Sequence, residues 1–192
     1  MKTIATFSLI AAFSFSAFSQ SLQPYKIYNA KGIEVTFDSL TKSALEAELV
    51  FFGELHNNTI AHWLQIELLK ALHSQTTRQI TVGAEMFETD NQLIIDEYLM
   101  SRISEKSFED EAKLWDNYQT DYKPILVYAK ENKIPFIATN TPRRYAAMVN
   151  KGGFEALQTL SGEAKLLIAP LPFPFDPELP GYKAITTMPA MH

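Results

Sequence analysis

The chain has 192 residues, of which 46% are hydrophobic and 20% are charged, and it contains no cysteine. This is the composition of an ordinary globular protein, and it excludes collagen-like and low-complexity chains. The lack of cysteine excludes a disulfide framework, a cysteine-ligated zinc or iron–sulfur site, a thiol nucleophile and a cysteine-linked lipoprotein anchor. The net charge of −5, with no cluster of basic residues, argues against nucleic-acid binding.

The first 19 residues have the pattern of a secretory signal peptide. Lys2 gives a positive start, residues 4–18 are apolar apart from serine and threonine, and Ser19 ends a small-x-small cleavage site. An N-terminal membrane anchor is the alternative, but the apolar stretch is shorter than the ~20 residues of a spanning helix. We therefore expect cleavage after Ser19, export to the periplasm or the medium, and one folded domain over residues 20–192.

The elements predicted first along the chain are a hairpin, a helix and a buried strand. Residues 25–29 and 33–37 flank a glycine-containing turn, which predicts a β-hairpin. A helix capped by Asp38 or Ser39 follows. The apolar run 49–52, which ends at a glycine, predicts a strand buried in a parallel sheet.

The rest of the chain alternates helices with two more apolar strands. An i+4 stripe of apolar residues predicts a helix from about Asn58 to His73. The further predicted strands are 80–84 and 134–138, and the further predicted helices are 92–99, 108–115, 124–131, 143–151 and 154–160. This order predicts an α/β fold with a central, mainly parallel sheet and helices on both faces. The proline-rich segment 170–180 predicts a covering loop or lid, because proline fits neither a helix nor a central strand.

Polar residues follow each of the three predicted parallel strands. Glu54 and His56 come after the first strand, Glu85 after the second, and Asn140 and Arg143 after the third. Ligands of open parallel sheets bind outside the carboxyl ends of the strands. We therefore expect these five side chains to converge at one edge of the sheet.

Two interpretations of these strand ends remain open. In the functional one, the Glu54 carboxylate orients the His56 imidazole or shares a metal with it, and His62 reaches back from the following helix. In the structural one, Glu54 and Glu85 pair with Arg143 to stabilise loops, and His62 lies on the helix surface. The sequence contains no His-Glu-x-x-His zinc motif and no Gly-x-Ser-x-Gly nucleophile elbow.

A group of aromatic residues is the second candidate feature. Trp115, Tyr118 and Tyr122 lie close together in the sequence, and Tyr145 and Tyr182 follow further on. Aromatic residues at helical spacing usually belong to the core. The functional alternative is a flat hydrophobic ligand, and in a chain without cysteine a tyrosine phenolate is a suitable ligand for ferric haem iron.

Four ordered motifs resemble those of the ChaN-like haem-binding uptake family, which is related to Tiki and to erythromycin-esterase-like proteins. They are Gly53-Glu54-Leu55-His56 with His62 and Gln65, Gly83-Ala84-Glu85-Met86-Phe87 with Gln92, Trp115-Asp116-x-Tyr118 with Tyr122-x-Pro124, and Ala138-x-Asn140-x-Pro142-Arg143. The resemblance implies an α/β fold, haem binding through a tyrosine and a role in iron acquisition. It also implies a homodimer, an outer-membrane haem receptor as partner, and a family pattern that continues past His192, so we expect a C-terminally incomplete chain.

The resemblance leads to a first functional hypothesis, in which the protein binds haem. Tyr182 is the preferred iron ligand by its chemistry, ahead of Tyr145 and Tyr122. Arg143 or Lys183 pairs with the haem propionates, because arginine and lysine form strong charge-assisted hydrogen bonds with carboxylates.

The second hypothesis is a metal-dependent hydrolase of the Tiki type, which the match to a Gly-x-x-His motif implies. His56 and Glu85, with His62, would hold a divalent metal, and Glu54 would act as a general base on the metal-bound water. Arg143 belongs to the same predicted catalytic set.

Overall fold

The computed structural model describes residues 23–172 and 174–187. The predicted signal peptide and its cleavage site lie outside the described residues. None of the helices in the described ranges is both long and apolar enough to cross a membrane.

The described chain begins with the predicted hairpin. Strands β1 (Ile27–Tyr28) and β2 (Glu34–Val35) pair antiparallel. The turn between them places Gly32 at a φ of +72°, a conformation that glycine adopts without steric cost. Helix α1 (Phe37–Glu46) follows, and its first turn is capped by the Thr36 hydroxyl, which accepts from the Ser39 N–H.

The predicted first strand of the parallel sheet is wrong. The run from Leu49 to Phe52 forms no strand, and the side chains of Leu49 and Phe51 are 69% and 88% exposed. An apolar run indicates a preference for burial, but a strand also needs a neighbouring strand to accept its backbone hydrogen bonds. Within the described ranges, no strand pairs with this run.

The parallel sheet therefore has two strands, β3 (Val82–Glu88) and β4 (Phe136–Asn140), where the sequence predicted three. Helix α2 (Thr59–Gln75), whose first turn is capped by the Asn58 side chain, leads into β3. The register places Ala84 opposite Ala138, and a bulge lies between Ala84 and Glu88. The fold is thus a mixed α and β structure with a small parallel sheet flanked by helices.

The helices between β3 and β4 form most of the core. They are α3 (Gln92–Leu99), α4 (Glu105–Glu111) and α5 (Lys123–Glu131), and a π-helical turn over Tyr118–Tyr122 leads directly into α5. Their buried side chains pack with those of the two strands, and Phe87, Ile95, Phe108 and Leu126 are fully buried. Burial of large apolar side chains is the main favourable contribution to folding here.

The side chain of Gln92 closes the outer edge of β4. Its Nε2 donates to the carbonyl of Phe136 at 2.9 Å, and its Oε1 accepts from the N–H of Ala138 at 2.7 Å. The amide thus takes the place of one more strand residue, which satisfies backbone groups that would otherwise lack partners.

The C-terminal part is largely helical. Helix α6 (Arg143–Gly152) follows β4, then a 3-10 helix (Phe154–Thr159), the short α7 (Gly162–Lys165), and α8 (Pro180–Thr187). The residues described between 170 and 179 form no helix or strand, as the proline-rich sequence predicts. Helix α8 was not predicted.

Candidate functional site

The Glu54 carboxylate is the centre of a polar network. Its Oε1 accepts from the hydroxyl of Tyr122 at 2.7 Å and lies 3.1 Å from Nδ1 of His56. Its Oε2 accepts from Nε2 of Gln65 at 2.5 Å. Only 12% of the Glu54 side chain is exposed, so these three partners replace most of its hydration.

His62 lies buried behind this carboxylate. Its Nδ1 is 3.3 Å from Oε2 of Glu54, and its Nε2 is 3.1 Å from the carbonyl oxygen of His56 and 3.8 Å from Oδ2 of Asp121. Its side chain is 2% exposed, so the interpretation of His62 as a surface helix residue is wrong. Helix α2 carries His62 and Gln65 on the side that faces Glu54.

The π-helical turn supplies the other half of the network. Asn117, just before it, donates through Nδ2 to the His56 carbonyl and to Oδ2 of Asp121, both at 2.8 Å. The Trp115 ring lies edge-on to His56 at 4.9 Å between centroids and edge-on to Tyr122 at 5.6 Å. π-Helical turns are rare and occur often at functional sites, because the extra residue redirects side chains.

The pKa values of the network follow from burial and hydrogen bonding. Burial raises the pKa of Glu54, but the hydrogen bonds from Tyr122, His56 and Gln65 outweigh it, and the net pKa is lowered. Burial and the Glu54 carboxylate raise the pKa of Tyr122. Glu54 is therefore the acceptor and Tyr122 the donor in their hydrogen bond.

The structure brings together only part of the predicted site. Glu54, His56 and His62 lie in one network, as the functional interpretation predicted. Glu85 is exposed on β3, and within the described ranges no hydrogen bond or ion pair joins Glu85 or Arg143 to Glu54. The structural interpretation, in which Glu54 and Glu85 pair with Arg143, is therefore wrong.

The described residues do not form a metal site. Across residues 23–172 and 174–187, no group of three or more His, Cys, Asp or Glu side chains is arranged to hold a metal ion. Glu85 does not take part in the network of His56 and His62. This donor set does not fit the divalent metal that the hydrolase hypothesis requires.

Arg143 lines a separate cavity of about 340 Å³. The other lining residues are Glu88, Lys113, Leu114, Trp115 and Arg144. Asn140, which was expected beside Arg143, ends β4 in register with Glu88. Trp115 lines this cavity and also contacts the His56 and Tyr122 rings of the Glu54 network.

A second cavity, of about 310 Å³, lies along the same helix. Its lining is mostly apolar and consists of Thr141, Tyr145, Ala146, Val149, Phe154, Leu157, Ile168, Ala169 and Leu171. Beside it is an aromatic patch, which we define as Phe154, Phe175 and Tyr182. The Phe175 ring lies 5.5 Å from the Phe154 ring and 5.0 Å from the Tyr182 ring, between centroids.

The three tyrosines predicted as haem ligands differ in accessibility. Tyr122 is fully buried, and its hydroxyl donates to Glu54. Tyr145 is buried, and its hydroxyl accepts from Nη2 of Arg144 at 3.3 Å. Tyr182, in the aromatic patch, is 43% exposed.

Two kinds of residue near the candidate sites are not predicted from the sequence. Asp121 is one of them, although it lies one helical turn after Asn117 and directly before Tyr122, a spacing that indicates membership of the same network. Phe154 and Phe175 were also missed, because they lie 21 residues apart and only the folded chain brings their rings together.

Comparison with protein families identifies the chain. The family model described as "Haem-binding uptake, Tiki superfamily, ChaN" matches residues 40–192. The chain belongs to the ChaN family. The resemblance of its four motifs to that family is therefore confirmed.

One curated relative also matches the chain. Protein RETICULATA-RELATED 5, chloroplastic, from Arabidopsis thaliana is 25% identical over an alignment of 132 residues, and the match covers 66% of this chain. The match covers 18% of that relative, so the chain spans less than a fifth of its length. No solved structure matches the chain.

Proposed function

We propose that this ChaN-family chain binds haem and serves in iron acquisition, with Tyr182 as the ligand of the iron. The observation that carries the proposal is the aromatic patch, in which an exposed phenol lies beside two exposed phenylalanine rings. Exposed apolar surface of this kind marks sites for ligands or partners, because leaving it in water is unfavourable.

The donor chemistry of the patch fits ferric haem. A phenolate is a hard anionic donor that suits ferric iron, and tyrosine is one of the axial ligands found in haem proteins. Tyr122 and Tyr145 fit this role less well, because both rings are buried and both hydroxyls have partners inside the protein. Bound haem would supply the iron, and the chain would supply the phenol oxygen and an apolar surface.

The surroundings of Tyr182 also suit a porphyrin. The two phenylalanine rings offer flat apolar surface, and Leu179 and Ile185 add two more exposed apolar side chains. The apolar cavity beside Phe154 continues this surface. Haem faces are flat and apolar, so their transfer from water to such a surface is favourable.

The propionates of a haem at Tyr182 would meet Lys183 before Arg143. Lys183 is the next residue of α8, and its Nζ lies 2.5 Å from Oε2 of Glu178 in an exposed ion pair. Exposed pairs of this kind contribute little stability, and an ammonium has three donors, so the pair with Glu178 does not prevent Lys183 from contacting a propionate. Arg143 lines the other cavity.

The proposal has three further parts. We propose that the chain is exported, that it pairs with a second copy of itself, and that its partner is an outer-membrane haem receptor. The signal-like pattern of residues 1–19 supports export, since haem uptake takes place outside the cytoplasm. The exposed patch supports pairing of two copies, because a haem bound on an open surface leaves one face for a partner.

Titration with ferric haem tests the proposal. We expect saturable binding with the high-spin spectrum of a phenolate ligand, and loss of that spectrum with at least tenfold weaker binding in Tyr182→Phe. Tyr28→Phe is the matched control, because Tyr28 is also exposed but lies in the hairpin. Equal binding by the two variants, or binding that does not saturate, would contradict the proposal.

A further inference from the structure

The cavity beside Arg143 has an unbalanced positive charge. It is lined by three cationic side chains, those of Lys113, Arg143 and Arg144, and by one carboxylate, that of Glu88. Its volume of about 340 Å³ is at the lower end of the range of small-molecule sites, which is about 300–1,000 Å³. The charge that remains for a ligand depends on which of the three cations pair with carboxylates of the protein.

Two of the three cations are engaged with carboxylates. The Nζ of Lys113 lies 3.0 Å from Oε2 of Glu88 and 2.8 Å from Oδ2 of Asp90. Arg144 pairs through Nη1 with the same oxygen of Asp90, and its guanidinium lies 4.5 Å from the centroid of the Tyr145 ring. Two cations and two carboxylates therefore form one closed group.

Arg143 is the cation outside this group. Its side chain is exposed at the cavity, and in the described part of the chain no hydrogen bond, ion pair or ring contact involves it. The cavity thus has a net charge of about +1, which is carried by a guanidinium. A guanidinium presents two parallel N–H groups that match the two oxygens of a carboxylate.

One wall of the cavity is the half-buried indole of Trp115. Its orientation is fixed by the edge-on contacts with His56 and Tyr122. A fixed indole offers a flat apolar surface, on which a planar group packs with little loss of conformational freedom. The wall and the guanidinium are thus presented to the same space.

We propose that this cavity binds a small organic carboxylate, whose carboxylate pairs with Arg143 and whose planar part packs against Trp115. The charge count favours a monoanionic carboxylate over a phosphate, which carries about −1.5 to −2 at neutral pH. The site shares no residue with the aromatic patch. Carboxylate binding here is therefore independent of haem binding at Tyr182, and the two are tested separately.

The two tryptophans of the chain make the site measurable. Trp63 lies on α2, is 44% exposed and is not one of the residues that line the cavity. In a Trp63→Phe background, Trp115 is the single tryptophan and reports directly on the cavity wall. Benzoate is the probe, since it combines a carboxylate with a planar ring, and benzamide is its neutral counterpart.

The experiment is a titration of Trp63→Phe with benzoate, followed by tryptophan fluorescence. We expect a saturable change with benzoate, and binding at least tenfold weaker with benzamide. Arg143→Gln should weaken benzoate binding by roughly tenfold or more, because a charged hydrogen bond is lost, and Arg143→Lys should retain part of the affinity. Lys151→Gln, at the other end of α6, is the matched control and should bind as its parent does.

Three results would overturn the proposal. They are no saturable change with benzoate, equal binding of benzoate and benzamide, and equal loss of affinity in Arg143→Gln and Lys151→Gln. Inorganic phosphate is titrated in the same way, and tighter binding of phosphate than of benzoate would contradict the assignment to a carboxylate. Circular dichroism of each variant establishes that it is folded before its affinity is compared.

Discussion

The polar network around Glu54 and the aromatic patch around Tyr182 place their functional groups in opposite environments. In the network, a buried carboxylate is hydrogen-bonded to a phenol, an amide and the His56 imidazole, and the His62 imidazole lies 3.3 Å away. In the patch, a phenol and two phenylalanine rings are exposed, and the Phe175 ring contacts the other two.

The difference is between a carboxylate whose hydrogen-bond partners lie within the protein and a phenol that is exposed to solvent. The Gly-x-x-His segment is the most conspicuous motif of the sequence, but the hydrogen-bonding capacity of Glu54 is used within the protein. A group that is used in this way is available to a ligand only if the network opens, which leaves buried polar atoms without partners. The Tyr182 hydroxyl differs, because no hydrogen bond involves it in the described part of the chain.

Glu54→Ala is the substitution with the largest expected effect on stability. It removes the acceptor of Tyr122, Gln65 and His56 at once, and buried donors without acceptors are costly. We expect the free energy of unfolding to fall by about 3 kcal/mol in urea denaturation. Glu85→Ala, which removes an exposed carboxylate, is the control and should change it by less than about 0.5 kcal/mol. Equal effects would show that the network does not stabilise the fold.

Tyr122→Phe should have a smaller effect. It keeps the buried ring and removes only the hydroxyl, so Glu54 loses one of its partners. A hydrogen bond to a charged group is worth about 1.5–3 kcal/mol, and we expect a loss near the lower figure because Gln65 and His56 remain. Tyr28→Phe, with its exposed ring, should be neutral in the same denaturation experiment. A neutral Tyr122→Phe would contradict the hydrogen bond to Glu54.

The contribution of Glu54 to stability should depend on pH. Because the pKa of Glu54 is lowered on folding, the unfolded chain binds a proton more readily than the folded one, and stability falls as the pH falls. The contribution of Glu54 is complete above its ordinary pKa of 4.5 and is lost as the pH drops through the lower folded value. We therefore expect the stability difference between wild type and Glu54→Gln to shrink on acidification.

Glu85→Gln is the control for this pH series. The Glu85 carboxylate is exposed and has no hydrogen bond or ion pair within the described ranges, so its replacement removes one surface carboxylate and no partner of the network. A constant difference between wild type and Glu54→Gln across the acidic range would contradict the lowered pKa.

The sequence best predicts the elements that depend on contacts between residues close together in the chain. The predicted helix 92–99 has the observed bounds, and the predicted hairpin and the predicted start of α2 near Asn58 are confirmed. The strand over Leu49–Phe52 is wrong because strand formation depends on a partner strand, which no local pattern specifies. Hydrophobicity alone does not distinguish a buried run from an exposed one.

The same limit applies to the candidate site. The contact between Glu54 and His56 could be predicted, because the two residues are adjacent on one side of an extended segment. The predicted convergence of Glu85 with these two residues is wrong, because it relied on a three-stranded sheet, and the parallel sheet within the described ranges has two strands. Tyr122 was predicted as a haem ligand from its residue type, and only the folded chain shows that its hydroxyl is already bonded to Glu54.

The most direct test of the account measures haem binding and stability side by side in Tyr182→Phe and His56→Ala. If the patch binds haem and the network stabilises the fold, Tyr182→Phe loses the phenolate spectrum and binds haem at least tenfold more weakly, while its unfolding free energy stays within about 0.5 kcal/mol of wild type. His56→Ala then shows the reverse, with lower stability and a wild-type haem spectrum. Loss of haem binding in His56→Ala under conditions where it is folded, with an unchanged spectrum in Tyr182→Phe, would contradict the account.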